Sequence, residues 1–220
     1  MEEVNKTIQF DGAHLELVSE ENNEKLMTFL KDHVTPDEIL GKSIGFIFDE
    51  ETKIFFTELL CMNLSLILVS DKTGEIIACR GMIIAKKGEP FDLDQLKNEY
   101  LVTEMKFMSH KNEGMDVFKR FGVDTAVEMV ELGKHRQYRQ HGIASKLMQA
   151  ARLFCEGLGL SPVCLKGEGT SIYSQKIYEK FGFETLQTFN YGEYKINDEI
   201  VFNFLPAFIN VPKCLFKQLK

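Results

Sequence analysis

Nowhere in the 220 residues is there an apolar run long enough to span a bilayer, and residues 1–9 are polar and charged, without the apolar core of a leader segment. The expectation is a soluble, cytoplasmic protein with no membrane partner. The five cysteines (Cys61, Cys79, Cys155, Cys164 and Cys214) are odd in number and widely spaced, and no Cys-x-x-Cys occurs. That pattern argues against a disulfide framework and against a zinc knuckle, leaving most of them as small buried apolar residues. No two histidines stand at metal-binding spacing, so no metal is expected. Basic residues are in the minority: 26 Lys and Arg face 33 Asp and Glu, a formal charge of −7 that argues against non-specific nucleic-acid binding and suits a cationic substrate. Internal repeats, low-complexity tracts and linker-like stretches are absent as well, so residues 1–220 are read as one domain.

What is present is ample core material, 44% hydrophobic residues including 18 Phe. Ile8 to Ser19 contains a first strand, and Ser19-Glu20-Glu21-Asn22 starts a helix reaching about His33. The Thr35-Pro36 step breaks it, and Pro36 to Gly41 forms a second helical piece. Glu50 to Met62 reads as a helix, while Leu64 to Val69 and Ile76 to Ala85 read as strands around the turn Asp71 to Gly74. Two further helices are expected over Asp92 to Tyr100 and Asp116 to Phe121, and a strand over Val123 to Leu132. Glu184 to Tyr194 and Glu199 to Phe204 alternate as two last strands about Asn197-Asp198.

The chain is organised around Arg139-Gln140-His141-Gly142-Ile143-Ala144. This turn follows the Thr125 to Leu132 run and opens a helix to about Leu158, for which Ile143, Leu147, Ala151, Phe154 and Leu158 recur at helical spacing. A helix start offers backbone N–H groups without intrahelical partners and a partial positive charge, and Gly142 lets an anion approach them. Lys134, His135, Arg136, Arg139 and His141 crowd this turn in an otherwise acidic chain. The run is neither Gly-x-Gly-x-x-Gly nor followed by Gly-Lys-Ser/Thr, so the dinucleotide and P-loop readings fail. It resembles the Arg/Gln-x-x-Gly-x-Gly/Ala signature of the GCN5-related N-acetyltransferase (GNAT) superfamily. A second match lies downstream, where Ser171 to Phe183 (SIYSQKIYEKFGF) resembles that superfamily's later helix ending in Tyr-Glu-Lys-x-Gly-Phe.

The resemblance implies a GNAT fold of the α/β (α+β) class: a mixed, mostly antiparallel twisted sheet of about seven strands with a splayed central pair, flanked by helices. Its acetyl-CoA-binding region would cover about residues 123–183. Acetyl-CoA is the implied cosubstrate, its pantetheine arm added to the splayed strand beside Leu132, Gly133 and Lys134, with Gly133 fitting a bulge. The pyrophosphate would rest on Arg139, Gln140, His141, Gly142, Ile143, Ala144 and Ser145.

Within the superfamily the chain is most similar to the insect-type arylalkylamine N-acetyltransferases. Asp37-Glu38-Ile39-Leu40 resembles their Asp-Glu-Pro-Leu stretch, with Ile39 standing for Pro, and the resemblance makes Glu38 the general base. An amine of pKa ~10 arrives protonated at neutral pH, so a proton must leave before it attacks a thioester. The competing account of Glu38 is a first-turn residue favoured by the helix dipole. Tyr178 stands where many members place the acid that protonates the departing sulfur; otherwise it is an amphipathic core side chain. Thr170 and Ser174 align with two serines of the insect-type enzymes and share a face if both lie within the helix, although Thr170 or Ser171 could instead be its N-cap. The tail Asn210 to Lys217 is similar in kind to the amphipathic tail of those enzymes.

The resulting expectation is acetyl transfer from acetyl-CoA to an arylalkylamine of the dopamine, tyramine and serotonin class, by direct attack in a ternary complex and by a monomer or weak dimer. The rivals are a GNAT acting on a polyamine, amino sugar or protein N-terminus, and a CoA-binding module without turnover.

Overall fold

A computed structural model gives the fold; it describes residues 1–62, 64–89, 93–112, 115–138, 142–160, 163–202, 205 and 213–219. In chain order its elements begin with α1 (Glu2–Thr7), β1 (Ala13–Leu17) and α2 (Asn23–Phe29), the last continuing into a π-helical turn at Leu30–Val34 and a 3-10 turn at Thr35–Asp37. Next come α3 (Ile39–Ile44), α4 (Glu50–Leu60), β2 (Leu66–Ser70), β3 (Ile76–Lys86), α5 (Glu99–Asn112), α6 (Val117–Phe121) and β4 (Thr125–Lys134). The chain then forms α7 (Ile143–Glu156), β5 (Val163–Gly169), α8 (Ile172–Lys180), β6 (Glu184–Thr188), the short β7 (Lys195–Ile196) and β8 (Glu199–Ile200), and β9 (Lys213–Leu219).

Seven strands make one sheet in the order β1-β2-β3-β4-β5-β9-β6. Every pairing in it is antiparallel except β4 with β5. Strand β2 is buried along its whole length because both faces are covered, which is why its sequence is an unbroken apolar run rather than an alternation. On one face Leu66, Leu68, Ala78, Met82 and Met129 pack with Leu147 and Ala151 of α7 and with Tyr178 of α8. On the other, Ile67, Val69 and Cys79 pack with Leu26, Leu30 and Val34 and with Leu60 of α4.

The parallel pair is short. β4 meets β5 only at Val127↔Leu165, Glu128↔Lys166 and Met129↔Gly167, and beyond Met129 the two strands part. The cause lies on the other edge of β4, where Gly81 faces Glu131 and Met82 faces Met129, so Val130 is the extra residue of a bulge. A bulge bends and twists its strand, turning the rest of β4 away from β5. The bulge expected at Gly133 is thus at Val130; Gly133 pairs regularly with Cys79, and its missing side chain makes room for Val34, with which a Cβ would overlap.

Other expectations shift. The helix expected over Asp92 to Tyr100 begins at Glu99, because the Asn98 carboxamide oxygen accepts from the N–H groups of Tyr100 and Leu101 at 3.0 and 3.1 Å and fixes the start there. Residues 2–7, to which the sequence reading assigned no element, form α1, anchored by buried Val4. Asn197-Asp198 does make a hairpin turn, with both residues at positive φ (52° and 66°), but its strands β7 and β8 form a separate ribbon. The strand that completes the main sheet is the tail, β9, lying between β5 and β6.

Candidate active site

Helix α7 begins at Gly142, whose φ of +70° is the left-handed backbone that glycine adopts without strain; no side chain among the described residues caps this helix. The N–H groups of Ser145 and Lys146 bond the Gly142 carbonyl at 3.1 Å. The amides of Ile143 and Ala144 belong to the first turn, where helical partners are lacking. Arg139, Gln140 and His141 lie outside the described residues. Leu132 and Lys134 are half-buried and Gly133 buried on the diverging part of β4, and the Leu132 N–H donates to the carboxylate of its neighbour Glu131 at 3.0 Å.

Tyr178 is 1% exposed, one turn beyond Ser174 on α8. Its ring covers Gly167, the last β5 residue paired with β4, where a Cβ would overlap the ring. The hydroxyl donates to the Met129 carbonyl at 3.4 Å and accepts from Arg80 Nη2 at 2.6 Å, which puts the phenol at the apex of the β4/β5 divergence. Burial pushes this phenol above its ordinary value of 10, and the Arg80 charge and hydrogen bond oppose that shift.

Glu38 is the N-cap of α3: its φ of −70° and ψ of 125° are extended, and its carboxylate accepts from the Gly41 N–H at 2.6 Å. An extended residue followed by the first helical position is the geometry that a Pro would also impose, so Ile39 leaves the backbone at Glu38 where the Pro-containing stretch would have it. Asp37, its neighbour, points elsewhere and pairs with Arg136.

Glu38 lines a cleft with Thr35, Phe46, Phe56, Glu104 and Glu131. Burial raises the Glu38 carboxyl above its usual value, against the backbone N–H groups of Gly41, Leu40 and Ile39 that favour its charged form. Glu131 is pushed up to about 7 by burial and then by the Glu38 charge, while Glu104 is raised well above the carboxylate range by burial and by Glu38 and Glu131. Against these shifts the Lys111 charge favours the ionised forms of Glu38 and Glu104, and the Arg80 charge that of Glu131, so the three carboxyl groups are only partly compensated.

Residues 97–185 match the protein-family model described as "Acetyltransferase (GNAT) domain". Over that stretch the chain is similar to the GNAT acetyltransferases. Its fold is also that of arylalkylamine N-acetyltransferase 2 from Aedes aegypti, at a TM-score of 0.85 with 21% identity over 96% of this chain and 100% of that one. A mosquito arylalkylamine N-acetyltransferase-like 5b structure is similar at 0.84 and 20% identity, over 94% of this chain and 100% of that one. So is the Drosophila melanogaster polyamine N-acetyltransferase, an enzyme that forms N-acetylagmatine, at 0.79 and 20% identity over 94% of this chain and 100% of that one. The seven-stranded mixed sheet of the GNAT fold is therefore present as expected. No helix among the described residues is long and apolar enough to cross a membrane.

Around the GNAT helix α8 the hydroxyls sort differently from the sequence expectation. Ser171 is the N-cap, and Ser171 and Ser174 form a reciprocal capping box, each accepting from the other's backbone N–H at 3.2 and 3.1 Å. Ser174 Oγ also donates to the Ser171 carbonyl at 2.9 Å. Thr170 stands before the cap, outside the helix, so it does not share a helical face with Ser174; its carbonyl accepts from the Tyr191 hydroxyl at 3.0 Å. Ser174 and Tyr178, four apart within α8, do share one.

Sequence reasoning singled out neither Arg80, Glu104 nor Glu131. A signal for Arg80 did exist: it is the lone charge within Ile76 to Ile84, an otherwise apolar run. Buried Lys111 of α5 was missed too; it bonds Glu168 at 2.8 Å, on β5 just past the last β4 pair. Glu104 has no such mark, lying among the ordinary polar positions of α5.

Proposed function

We propose that this protein transfers the acetyl group of acetyl-CoA to the primary amine of a small cationic acceptor, an arylalkylamine being the leading class. The observation that carries the reading is the placement of Glu38 and Tyr178 on the two sides of β4, with Glu131 and Arg80 between them. Glu38 and Glu131 share the acceptor cleft, the Glu131 backbone carbonyl accepts from Arg80 Nη1 at 3.3 Å, and Arg80 holds the Tyr178 hydroxyl at the strand divergence. A base and a proton donor thus stand on either side of Glu131 and Arg80.

In this reading acetyl-CoA lies along residues 132–134, with its pyrophosphate at the start of α7, on Gly142, Ile143, Ala144, Ser145 and the 139–141 segment. The diverging edge of β4 has no β5 partner beyond Met129, which leaves room for an added strand-like arm. Glu38, with its proton affinity raised by burial, takes a proton from the ammonium group, and the free amine attacks the thioester carbon directly. Tyr178 protonates the departing sulfur; Ser174, one turn away, is the other hydroxyl on that face. Thr170 serves through its position before α8. No thiol is needed as an acyl carrier: burial pushes Cys155 up to about 12 and raises Cys79 further, so neither is a ready nucleophile.

Phe46 and Phe56 in the cleft wall support an aryl acceptor, as do the names of the mosquito proteins. A second reading, a diamine or guanidinium-bearing amine, is supported by Glu104 and Glu131, two further carboxyl groups lining the cleft that a second cationic group would favour in their ionised forms. The test is free-thiol release from acetyl-CoA with tyramine, dopamine, serotonin, phenethylamine, agmatine, spermidine, glucosamine and a short peptide. Fast turnover confined to the aryl amines supports the leading class, and turnover confined to agmatine and spermidine replaces it with the second. Tight acetyl-CoA binding with silence across the panel would favour a CoA-binding module.

A further inference from the structure

Arg80, 2% exposed in the middle of β3, is a buried cation with no carboxylate in direct ion-pair contact among the described residues, although its charge favours the ionised form of the Glu131 carboxyl. Its Nη2 goes to the Tyr178 hydroxyl and its Nη1 to the Glu131 carbonyl, while its Nε, fully buried, has no hydrogen-bond partner among the described residues. Taking a guanidinium out of water is expensive unless negative charge compensates it, and an orphaned buried N–H costs a further hydrogen bond. A purely structural side chain at this position would be better apolar. The arrangement is that of a site prepared for negative charge that arises only during a reaction.

Its place in the fold says where that charge would arise. Arg80 faces Leu132 across the β3/β4 ladder, on the stretch of β4 that has left β5. Its one short hydrogen bond, 2.6 Å, goes to a phenol whose proton is held only by a long contact of 3.4 Å to the Met129 carbonyl. The hydroxyl oxygen is therefore firmly occupied as an acceptor, and its proton is free to be given away.

Resting on the proposed acetyl transfer, we infer that Arg80 is a positioning residue that makes Tyr178 the proton donor to the departing thiolate and holds the tyrosinate that results. The amine nitrogen bonds to the thioester carbon, the carbon–sulfur bond breaks, and its electron pair goes to sulfur. Tyr178 gives sulfur its proton, and Arg80 faces the phenolate left behind. An ammonium acceptor loses two protons on becoming a neutral amide; one restores Tyr178 and the other leaves to solvent, so the sum is one amide, one CoA thiol and one proton.

The test uses the full chain and the best amine of the panel, with Arg80→Met, Arg80→Lys, Tyr178→Phe and the Arg80→Met/Tyr178→Phe double variant. The expected result is a loss of kcat of roughly tenfold or more in Arg80→Met, up to the 10²–10⁴ that general acid–base catalysis contributes, with the acetyl-CoA KM within about twofold. Arg80→Lys recovers part of the loss. In the Tyr178→Phe background Arg80→Met adds almost nothing, because its effect passes through the phenol. Replacing Tyr178 by 3,5-difluorotyrosine, a stronger acid, restores much of the rate in Arg80→Met, which a packing defect would not allow. Equal losses in both backgrounds, or no rescue by the fluorinated phenol, overturn the inference while acetyl transfer stands. Absence of turnover by the unmodified protein on every amine removes both. Should Arg80→Met fail to fold, the same cycle and the same rescue are read with Arg80→Lys.

Discussion

Arg136 grips Asp37 through two hydrogen bonds of 3.0 Å, Nε to Oδ2 and Nη2 to Oδ1, while the next residue, Glu38, turns into the cleft and caps α3. Two adjacent acids thus do different things: one ties the segment before α3 to the segment after β4, and the other lines the cleft.

The first prediction separates them. Glu38→Gln should lower kcat/KM by about 10²-fold or more near neutral pH, with acetyl-CoA affinity unchanged and the lost rate returning as pH rises toward the amine's own pKa. Asp37→Asn should change stability by less than about 1 kcal/mol, since the ion pair is exposed. Full turnover by Glu38→Gln at pH 7 would remove the assigned base.

The capping box gives a second. Ser171→Ala should destabilise the protein by about 1 kcal/mol through loss of the α8 cap, whereas Thr170→Ala, outside the helix, should leave the melting temperature within about 1 °C on the usual scale for a chain of this size. Thermal unfolding by circular dichroism compares the two, and equal losses would contradict the assignment of the cap.

Gly167 supplies a third. Alanine there would overlap the Tyr178 ring, so Gly167→Ala should cost about 1–3 kcal/mol as an overpacked core and lower kcat beyond what stability explains. A variant as stable and as active as the unmodified protein would show that the ring does not depend on this contact.

The raised Glu131 carboxyl predicts a pH dependence. Its midpoint rises from 4.5 to about 7 on folding, so the native state holds this proton more tightly than the unfolded chain. Its stabilising contribution is complete below 4.5 and is lost as pH climbs through 7. Glu131→Gln should therefore match the unmodified protein at pH 4.5 and melt several degrees higher at pH 8. Parallel melting curves across that range would refute it.

The region from β4 to α8 was legible because its signals are local. The helical spacing after Gly142, the Gly before it and the Tyr-Glu-Lys-Phe-Gly-Phe ending each lie within a few residues, and α7 and α8 form where those patterns stand. The Pro36 break was equally plain and sets Glu38 at a helix start. What could not be read was whatever depends on pairing across the chain. The divergence of β4 arises from Val130, an ordinary apolar residue until its partners on β3 are known. Glu104 and Glu131 come together from α5 and β4, and nothing in either segment names the other. The Asn197-Asp198 turn was visible from residue type, yet turn chemistry carries no information about which sheet its arms join.

Strand β9 has a consequence for how the protein is made. β5 and β6 are only about fifteen residues apart along the chain, but each bonds to β9 and neither to the other. During synthesis both must wait, with an open edge apiece, for the later-made β9 to slide between them. A product shortened before Lys213 would lack an interior strand rather than a loose end, and its two bare edges would invite a neighbouring copy to fill the gap.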